Sequence, residues 1–519
     1  MSETGMSASG SILARTAKGA GWVIAWRMLT RTLGLISTLI LVRLLLPGDF
    51  GLVMLATGFG QALGALSELG VEEAVIRVKS PTRELYDTAF TINVIRGLAT
   101  CAVVAAGAWP AGIFFDDMRL VPVMVTFAAG GVIGSFENIG IVDFRRDIAF
   151  EKEFLLMSVP RLASVAVAIG TAFLWRSYWA LVAAMLVSGV LRTALGYVIH
   201  PFRPRFGLSA WRQIAGFSVW SWMMSILGLV RDRMDSFVIG RLLGVTEVGL
   251  YSVGTEIATL PASELIAPLA RACFSGFAAA RHADEDGQVM RDTYVRVIGG
   301  SLLVSLPAGV GISLVADPVV KLALGLRWAA ATPLVEVLGV AMCVTAVGYI
   351  SSAMLNAHGI LRRLFVLQVV TGIIRVLLVL PLVWRFGLLG AALAGALATV
   401  IEHLGYLTMT MRHLALPWWR LLAHLWRTLA ASAAMAGGLW ALGLGWNNVA
   451  DAPAATRALL AAVPLGASFY VAAVLLLWVA AGRPDGPERD ALAMAGRVWR
   501  GGAARLLRRL RMSARGRRA

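Results

Sequence analysis

Arg43-Leu44-Leu45-Leu46-Pro47-Gly48-Asp49-Phe50-Gly51-Leu52 is echoed 198 positions later by Arg241-Leu242-Leu243-Gly244-Val245-Thr246-Glu247-Val248-Gly249-Leu250. Six positions agree, among them an arginine and an acidic residue, and each copy stands at the exit of a long apolar run. Trp22 and Trp220 keep the same offset. Pro47-Gly48-Asp49 ends one helix and starts another, because proline disfavours helical backbone before it and Gly and Asp suit turns. A helix-loop-helix unit duplicated inside a chain of apolar runs points to a two-lobed transporter. Chance agreement in a Leu- and Gly-rich chain is the competing reading.

The composition agrees with a membrane setting. Of 519 residues, 58% are hydrophobic and only 15% charged, whereas soluble domains carry about 25% charged residues. Repeated apolar runs are long enough to cross a hydrocarbon layer roughly 30 Å thick. The first of them, from Trp22, is too long for a signal-peptide core and is expected to stay in the mature protein. Cys101, Cys273 and Cys343 sit in or beside apolar segments with no paired spacing, so they read as small buried side chains. The chain has no Walker loop, no dinucleotide glycine pattern and no cluster of His with acidic residues. No cofactor, no metal and no ATP hydrolysis within this chain are therefore expected.

Fourteen spans are expected. The first seven run at about 21–46, 50–69, 89–109, 120–142, 154–175, 178–199 and 213–240. The others follow at about 248–269, 294–316, 328–353, 364–385, 387–409, 421–445 and 459–480. Loops on the side of the N-terminus then hold nineteen basic residues and the opposite loops eight. That asymmetry places both termini in the cytoplasm. The net charge of +17 is spread as short patches between apolar runs and in the tail, a topology signal rather than a nucleic-acid one.

With six spans between the copies, both enter the membrane in the same sense. The expected fold is an all-α polytopic membrane protein of about 14 transmembrane helices in two parallel pseudo-symmetric six-helix lobes, plus an accessory C-terminal pair. Residues 1–205 form the N-terminal lobe, 206–415 the C-terminal lobe and 416–482 the accessory spans, leaving 483–519 as a basic cytoplasmic tail. In the tail, Trp499, Leu506, Leu507 and Leu510 alternate with arginines. That suits either a helix lying on anionic membrane lipids or a disordered basic segment that reinforces topology.

Charges inside spans are the informative residues, because they are costly in lipid unless they serve a cavity or a partner. Arg27 and Arg31 share one helical face, and Gly34, Ser37 and Thr38 continue it as a small, polar stripe. Arg27 alternatively snorkels to the headgroups. Arg375 stands alone among Ile373, Ile374, Val376 and Leu377. Arg231 and Asp235 are spaced to pair along the seventh span, which leaves Arg233 available; a structural ion-pair network is the other reading. Asn93 and Arg96 mark the third span similarly. Together Arg27, Arg31, Arg233 and Arg375 describe a cationic interior suited to an anionic substrate, since guanidinium forks match phosphate oxygens. Glu68, Glu72, Glu73, Glu256, Glu264, Glu336 and Glu402 either couple an ion or balance a neighbouring arginine, so the coupling ion stays open.

Leu41 through Leu52 resembles the signature after the first span of bacterial polysaccharide exporters. These are the lipopolysaccharide and exopolysaccharide repeat-unit flippases of the multidrug/oligosaccharidyl-lipid/polysaccharide superfamily. Leu66-Ser67-Glu68-Leu69-Gly70-Val71-Glu72-Glu73-Ala74-Val75-Ile76-Arg77 resembles their next segment, with Glu68 where an Asp is expected. Phe217-Ser218-Val219-Trp220 and the stretch from Arg231 to Leu250 resemble the start of their second half.

The resemblance implies a transporter without catalytic residues in the bacterial inner membrane. Two lobes would alternate access around a cationic cavity. A polyprenyl-pyrophosphate-linked oligosaccharide repeat unit would pass from the cytoplasmic to the periplasmic leaflet for exopolysaccharide or lipopolysaccharide biosynthesis. Arg27, Arg31, Arg233 and Arg375 would meet the pyrophosphate or acidic sugars, and Asn93 and Tyr349 would hydrogen-bond the glycan. A polysaccharide polymerase or co-exporter is a candidate partner. The alternatives are a lipid-linked peptidoglycan precursor flippase and a membrane polysaccharide polymerase or ligase. The second alternative normally needs a large external loop, and the longest expected here lies near 445–456. A multidrug cation antiporter fits less well, since its cavity should be acidic.

Overall fold

Apolar runs rich in Leu, Ala and Val must satisfy every backbone N–H and C=O internally when they lie in lipid, and a helix does so within one segment. The computed structural model describes residues 3–66, 71–78, 80–147, 149–214, 219–266, 268–271, 273–274, 276–277 and 287–493. Among these residues all regular structure is helical. In chain order the helices are α1 (Glu3–Leu44), α2 (Pro47–Leu66), α3 (Val71–Arg77), α4 (Arg83–Phe114), α5 (Leu120–Ser135) and α6 (Val142–Arg146). Next come α7 (Phe150–Trp175), α8 (Trp179–Ile199), α9 (Trp211–Ile214), α10 (Val219–Leu242) and α11 (Val245–Pro261). The last are α12 (Gln288–Leu314), α13 (Ala316–Ala323), α14 (Thr332–Met342), α15 (Thr345–Ala357), α16 (Leu361–His413), α17 (Trp418–Ala441) and α18 (Ala452–Ala480). Glu68, Lys79, Phe217, Ser218, His282 and the tail residues Trp499, Leu506, Leu507 and Leu510 lie outside the described residues.

Seven of the described helices are long and apolar enough to span a membrane: Ala25–Leu44 of α1, then α4, α7, α8, α12, α16 and α18. The count reaches nine if each of two bent pairs is one span. Both bends fall in stretches expected to be single spans. Leu120–Ser135 and Ile139–Arg146 meet at 67°, and Leu326–Met342 and Thr345–Ala357 at 44°. The first bend has a clear cause. Buried Asn138 accepts from the Gly140 N–H at 3.0 Å and donates through Nδ2 to the Phe202 carbonyl at 2.8 Å. Those bonds compete with continued helix. Beside it, burial pushes the His200 imidazole below its ordinary range, against the pull of the Asp143 carboxylate 3.5 Å from Nε2. Within α16, Gly387 leaves the helical region at φ 59°, ψ −136°, a conformation only glycine adopts readily.

The chain divides into two compact units. The first comprises Met1–Ser252, Ala323–Trp328 and Val379–Ala391; the second comprises Val253–Leu322, Ala329–Leu378 and Ala392–Ala519. In the first unit the two copies of the repeated phrase lie against each other. A β-carbon on Gly51 would overlap the Val245 carbonyl oxygen and come within 2.8 Å of Gly249 N. One on Gly249 would overlap the Pro47 carbonyl oxygen and come within 3.0 Å of Gly51 N. Pro47 and Val245 hold the same place in the two copies, so the contact is reciprocal. The glycine shared by the two copies is thus explained by backbone-to-backbone approach. Asp49 fixes the first turn by accepting from the Leu46 N–H at 2.9 Å. Trp328 is fully buried in this unit, donating to the Val42 carbonyl at 2.8 Å with its ring edge-on to Phe50.

The second unit is held by a core that includes Ile266, Phe277, Met354 and Tyr294, whose hydroxyl lies 2.7 Å from Ser351 Oγ. Two polar ties fix its loops. Asp317 accepts from Lys321 Nζ at 2.9 Å and from the Val449 N–H at 2.8 Å, pinning the loop between α17 and α18. Beyond α18, Glu488 turns back to take a two-pronged grip from Arg427 at 2.7 and 3.1 Å. Both side chains are buried, and Pro487 beside them packs on Gly299. Arg427, inside the segment expected to span at about 421–445, is an interior residue of α17. It is buried because Glu488 neutralises it.

Candidate functional site

Small residues on neighbouring helices leave room that larger ones would fill. In the first unit Ala56, Gly60 and Gly64 of α2, Gly97 of α4 and Ala128, Gly131 and Gly134 of α5 border a cavity of about 530 Å³. Its polar lining comes from Thr57, Gln61, Asn93, Arg96, Thr100 and Ser135. Asn93 and Arg96 are three residues apart on α4 and so share a face; both are half-buried. The arrangement offers one guanidinium and several neutral donors and acceptors, the mixture that hydroxyl-rich ligands require.

A second cavity of about 330 Å³ runs beside α10. It is almost wholly apolar, bordered by Phe114, Leu229, Met234, Phe237, Val238, Leu242 and Leu380, with Arg233 and Arg241 among its lining. Arg233 and Arg241 are two helical turns apart, and Arg241 lies 5.3 Å from the centre of the Phe114 ring. Arg233 also donates through Nη2 to Gln61 Oε1. Since Gln61 lines the polar cavity, one hydrogen bond links the polar space to the apolar one.

The residues singled out from the sequence are thus only partly drawn together. Arg233 bonds Gln61, which lines the same cavity as Asn93. Arg27 and Arg31 lie exposed on α1 and are not among the described residues lining either cavity. Arg375 is half-buried in α16, and Tyr349 is 37% exposed on α15 with its ring 5.9 Å from that of His403. Asp235 accepts a hydrogen bond from the Tyr251 hydroxyl at 2.7 Å.

Two further residues were not singled out. Arg161, near the middle of α7, is half-buried and reaches α1: a β-carbon on Gly34 would come within 3.1 Å of its Nη2. Gly34 lies about one turn from Arg31, so Arg161 adds a third guanidinium beside the Arg27/Arg31 face. Gln61 is the other.

Comparison with known proteins places this architecture. The profile of the family described as "Polysaccharide biosynthesis protein" matches residues 40–333. The chain belongs to this family. It is a polytopic membrane protein of the multidrug/oligosaccharidyl-lipid/polysaccharide superfamily. It is 22% identical over 398 residues to the lipopolysaccharide biosynthesis protein WzxC of Escherichia coli (strain K12), covering 76% of this chain and 79% of that one. It is 23% identical over 331 residues to the succinoglycan biosynthesis transport protein ExoT of Rhizobium meliloti (strain 1021), covering 62% of this chain and 65% of that one. Among solved structures, the fold is similar to the lipid II flippase MurJ in an inward closed conformation. There the TM-score is 0.69 at 13% identity, over 89% of this chain and all of that one (100%). An inward-facing multidrug resistance MATE family transporter gives a TM-score of 0.58 at 16% identity, over 74% of this chain and 94% of that one.

Proposed function

We propose that this protein is a flippase. It carries a polyprenyl-pyrophosphate-linked oligosaccharide repeat unit from the cytoplasmic to the periplasmic leaflet of the inner membrane, for exopolysaccharide or lipopolysaccharide biosynthesis. The observation that carries the reading is the junction of a polar cavity with an apolar one through Arg233 and Gln61. The substrate has the same two halves. Its sugars and pyrophosphate will not enter hydrocarbon unaided, and its prenyl chain will not leave it. Arg233 stands where the pyrophosphate joins them, with a fork suited to phosphate oxygens. Asn93 and Arg96 face the glycan, and Arg241 borders the far end of the apolar space.

The names of the relatives support the glycan: one is a lipopolysaccharide biosynthesis protein and another a succinoglycan biosynthesis transport protein. In this reading two parallel six-helix lobes alternate access, both termini face the cytoplasm, and Arg27, Arg31 and Arg375 contribute positive charge as the substrate crosses. Tyr349 serves as a further hydrogen-bonding group for the glycan. No step requires bond cleavage, so the protein acts as a transporter and not an enzyme.

Deletion is expected to leave lipid-linked repeat units accumulated on the cytoplasmic leaflet, read by leaflet-selective labelling. Arg375→Ala and Arg96→Ala are each expected to lower polymer export by about tenfold or more, the cost of removing a charge partner from a desolvated anion. Membrane abundance should stay unchanged. Normal polymer from either variant removes that residue from the mechanism, and accumulation of a peptidoglycan precursor instead would reassign the substrate.

A further inference from the structure

Away from these cavities, the second unit holds a polar pocket of about 340 Å³ between the starts of α12 and α17 and the turn that follows α18. Its charged lining is balanced: Arg296 and Arg420 against Asp292 and Asp485. His424 also lines it. Its Nδ1–H donates to the Arg420 carbonyl at 2.8 Å, because a carbonyl oxygen can only accept. Asp485 pairs with Arg489 in the open, with both side chains about two-thirds exposed (65% and 64%). Such pairs are weak and leave the carboxylate available. Trp419 forms the outer edge at 66% exposure, beside Trp418 at 47%. Exposed tryptophans at a helix start mark the level of the membrane–water boundary.

The pocket is built rather than incidental. Its floor, Gly486, is buried, and a β-carbon there would lie 3.0 Å from Glu488 Oε2 and 3.4 Å from Arg427 Nη2. The buried Arg427–Glu488 pair therefore fixes the turn that closes the pocket. A bare phosphate or an anionic headgroup drawn to Arg296 and Arg420 would also meet the carboxylates of Asp292 and Asp485. A ligand carrying both signs satisfies all four.

We propose that this pocket binds the headgroup of a zwitterionic phospholipid of the phosphatidylethanolamine class. The phosphate sits on Arg296 and Arg420, the ammonium on Asp292 and Asp485, and the acyl chains remain in the bilayer beyond Trp419. The site is separate from the transport cavities and does not depend on the substrate assigned to them.

The test uses the full chain reconstituted in vesicles of equal phosphatidylethanolamine and phosphatidylglycerol, then extracted for native mass spectrometry. One phosphatidylethanolamine should be retained about tenfold in preference to phosphatidylglycerol. Asp292→Asn with Asp485→Asn should reverse the preference toward phosphatidylglycerol, and Arg296→Gln with Arg420→Gln should release both lipids. These four side chains are outside the buried Arg427–Glu488 pair, and an unchanged melting temperature verifies the fold of each variant. Equal retention of the two lipids by the unmodified protein overturns the proposal, as does a preference that survives both double substitutions. Displacement of the lipid by equimolar soluble glycerophosphoethanolamine overturns the lipid as the ligand.

Discussion

Gly249→Val, and equally Gly51→Val, is expected to prevent accumulation of well-packed protein. A β-carbon at either position would overlap a carbonyl oxygen of the other copy's turn, Pro47 for Gly249 and Val245 for Gly51. The obstacle is backbone, so no rotamer change relieves it. At Pro47 the ring also fixes φ, which removes the easiest backbone adjustment. Overpacking a side chain against movable neighbours costs about 1–3 kcal/mol, and an overlap with fixed backbone should exceed that range. Size-exclusion profiles of detergent-solubilised protein report the outcome: the variants should shift from a single peak to aggregate. Gly311→Ala is the control, since a β-carbon there meets nothing within 4 Å, and it should retain the peak. A monodisperse Gly249→Val with unchanged melting temperature would show that the two copies do not pack as described.

Arg427→Ala is expected to destabilise the second unit by about 3–5 kcal/mol, because it strands a buried carboxylate. Glu488 is 2% exposed and takes both prongs of the guanidinium. Substituting both partners with leucine removes the charge problem, so Arg427→Leu with Glu488→Leu should regain most of the loss. Thermal unfolding in detergent distinguishes the two. If the single variant melts no lower than the double one, the pair is not the tie that holds the turn after α18.

What could be read in the sequence was local. The repeated phrase carries its own explanation, since Pro47, Asp49 and the paired glycines act within a few residues and their spacing survives in both copies. Gly387 is a similar case: it falls where the 364–385 and 387–409 segments were expected to part, and its backbone angles there need glycine. The bend at Asn138 could not be read, because its partners, the carbonyls of Gly196, His200 and Phe202, lie about sixty residues away. Arg161 was within reach of the rule that singles out Arg375, an arginine alone in an apolar run. Gln61 was not paired with Arg233, because the two stand 172 residues apart in the chain. For the same reason Asn93 and Arg233 appear in sequence as separate marks on separate helices.

Leaflet-resolved transport of a defined polyprenyl-pyrophosphate oligosaccharide, in proteoliposomes of the purified protein, tests the proposed role of the Arg233–Gln61 junction. The protein should expose the sugar on the opposite leaflet, and Arg233→Ala should reduce that rate by about tenfold or more while keeping its melting temperature. Translocation by Arg233→Ala at the unmodified rate, or none at all by well-folded unmodified protein supplied with this class of lipid, would contradict it.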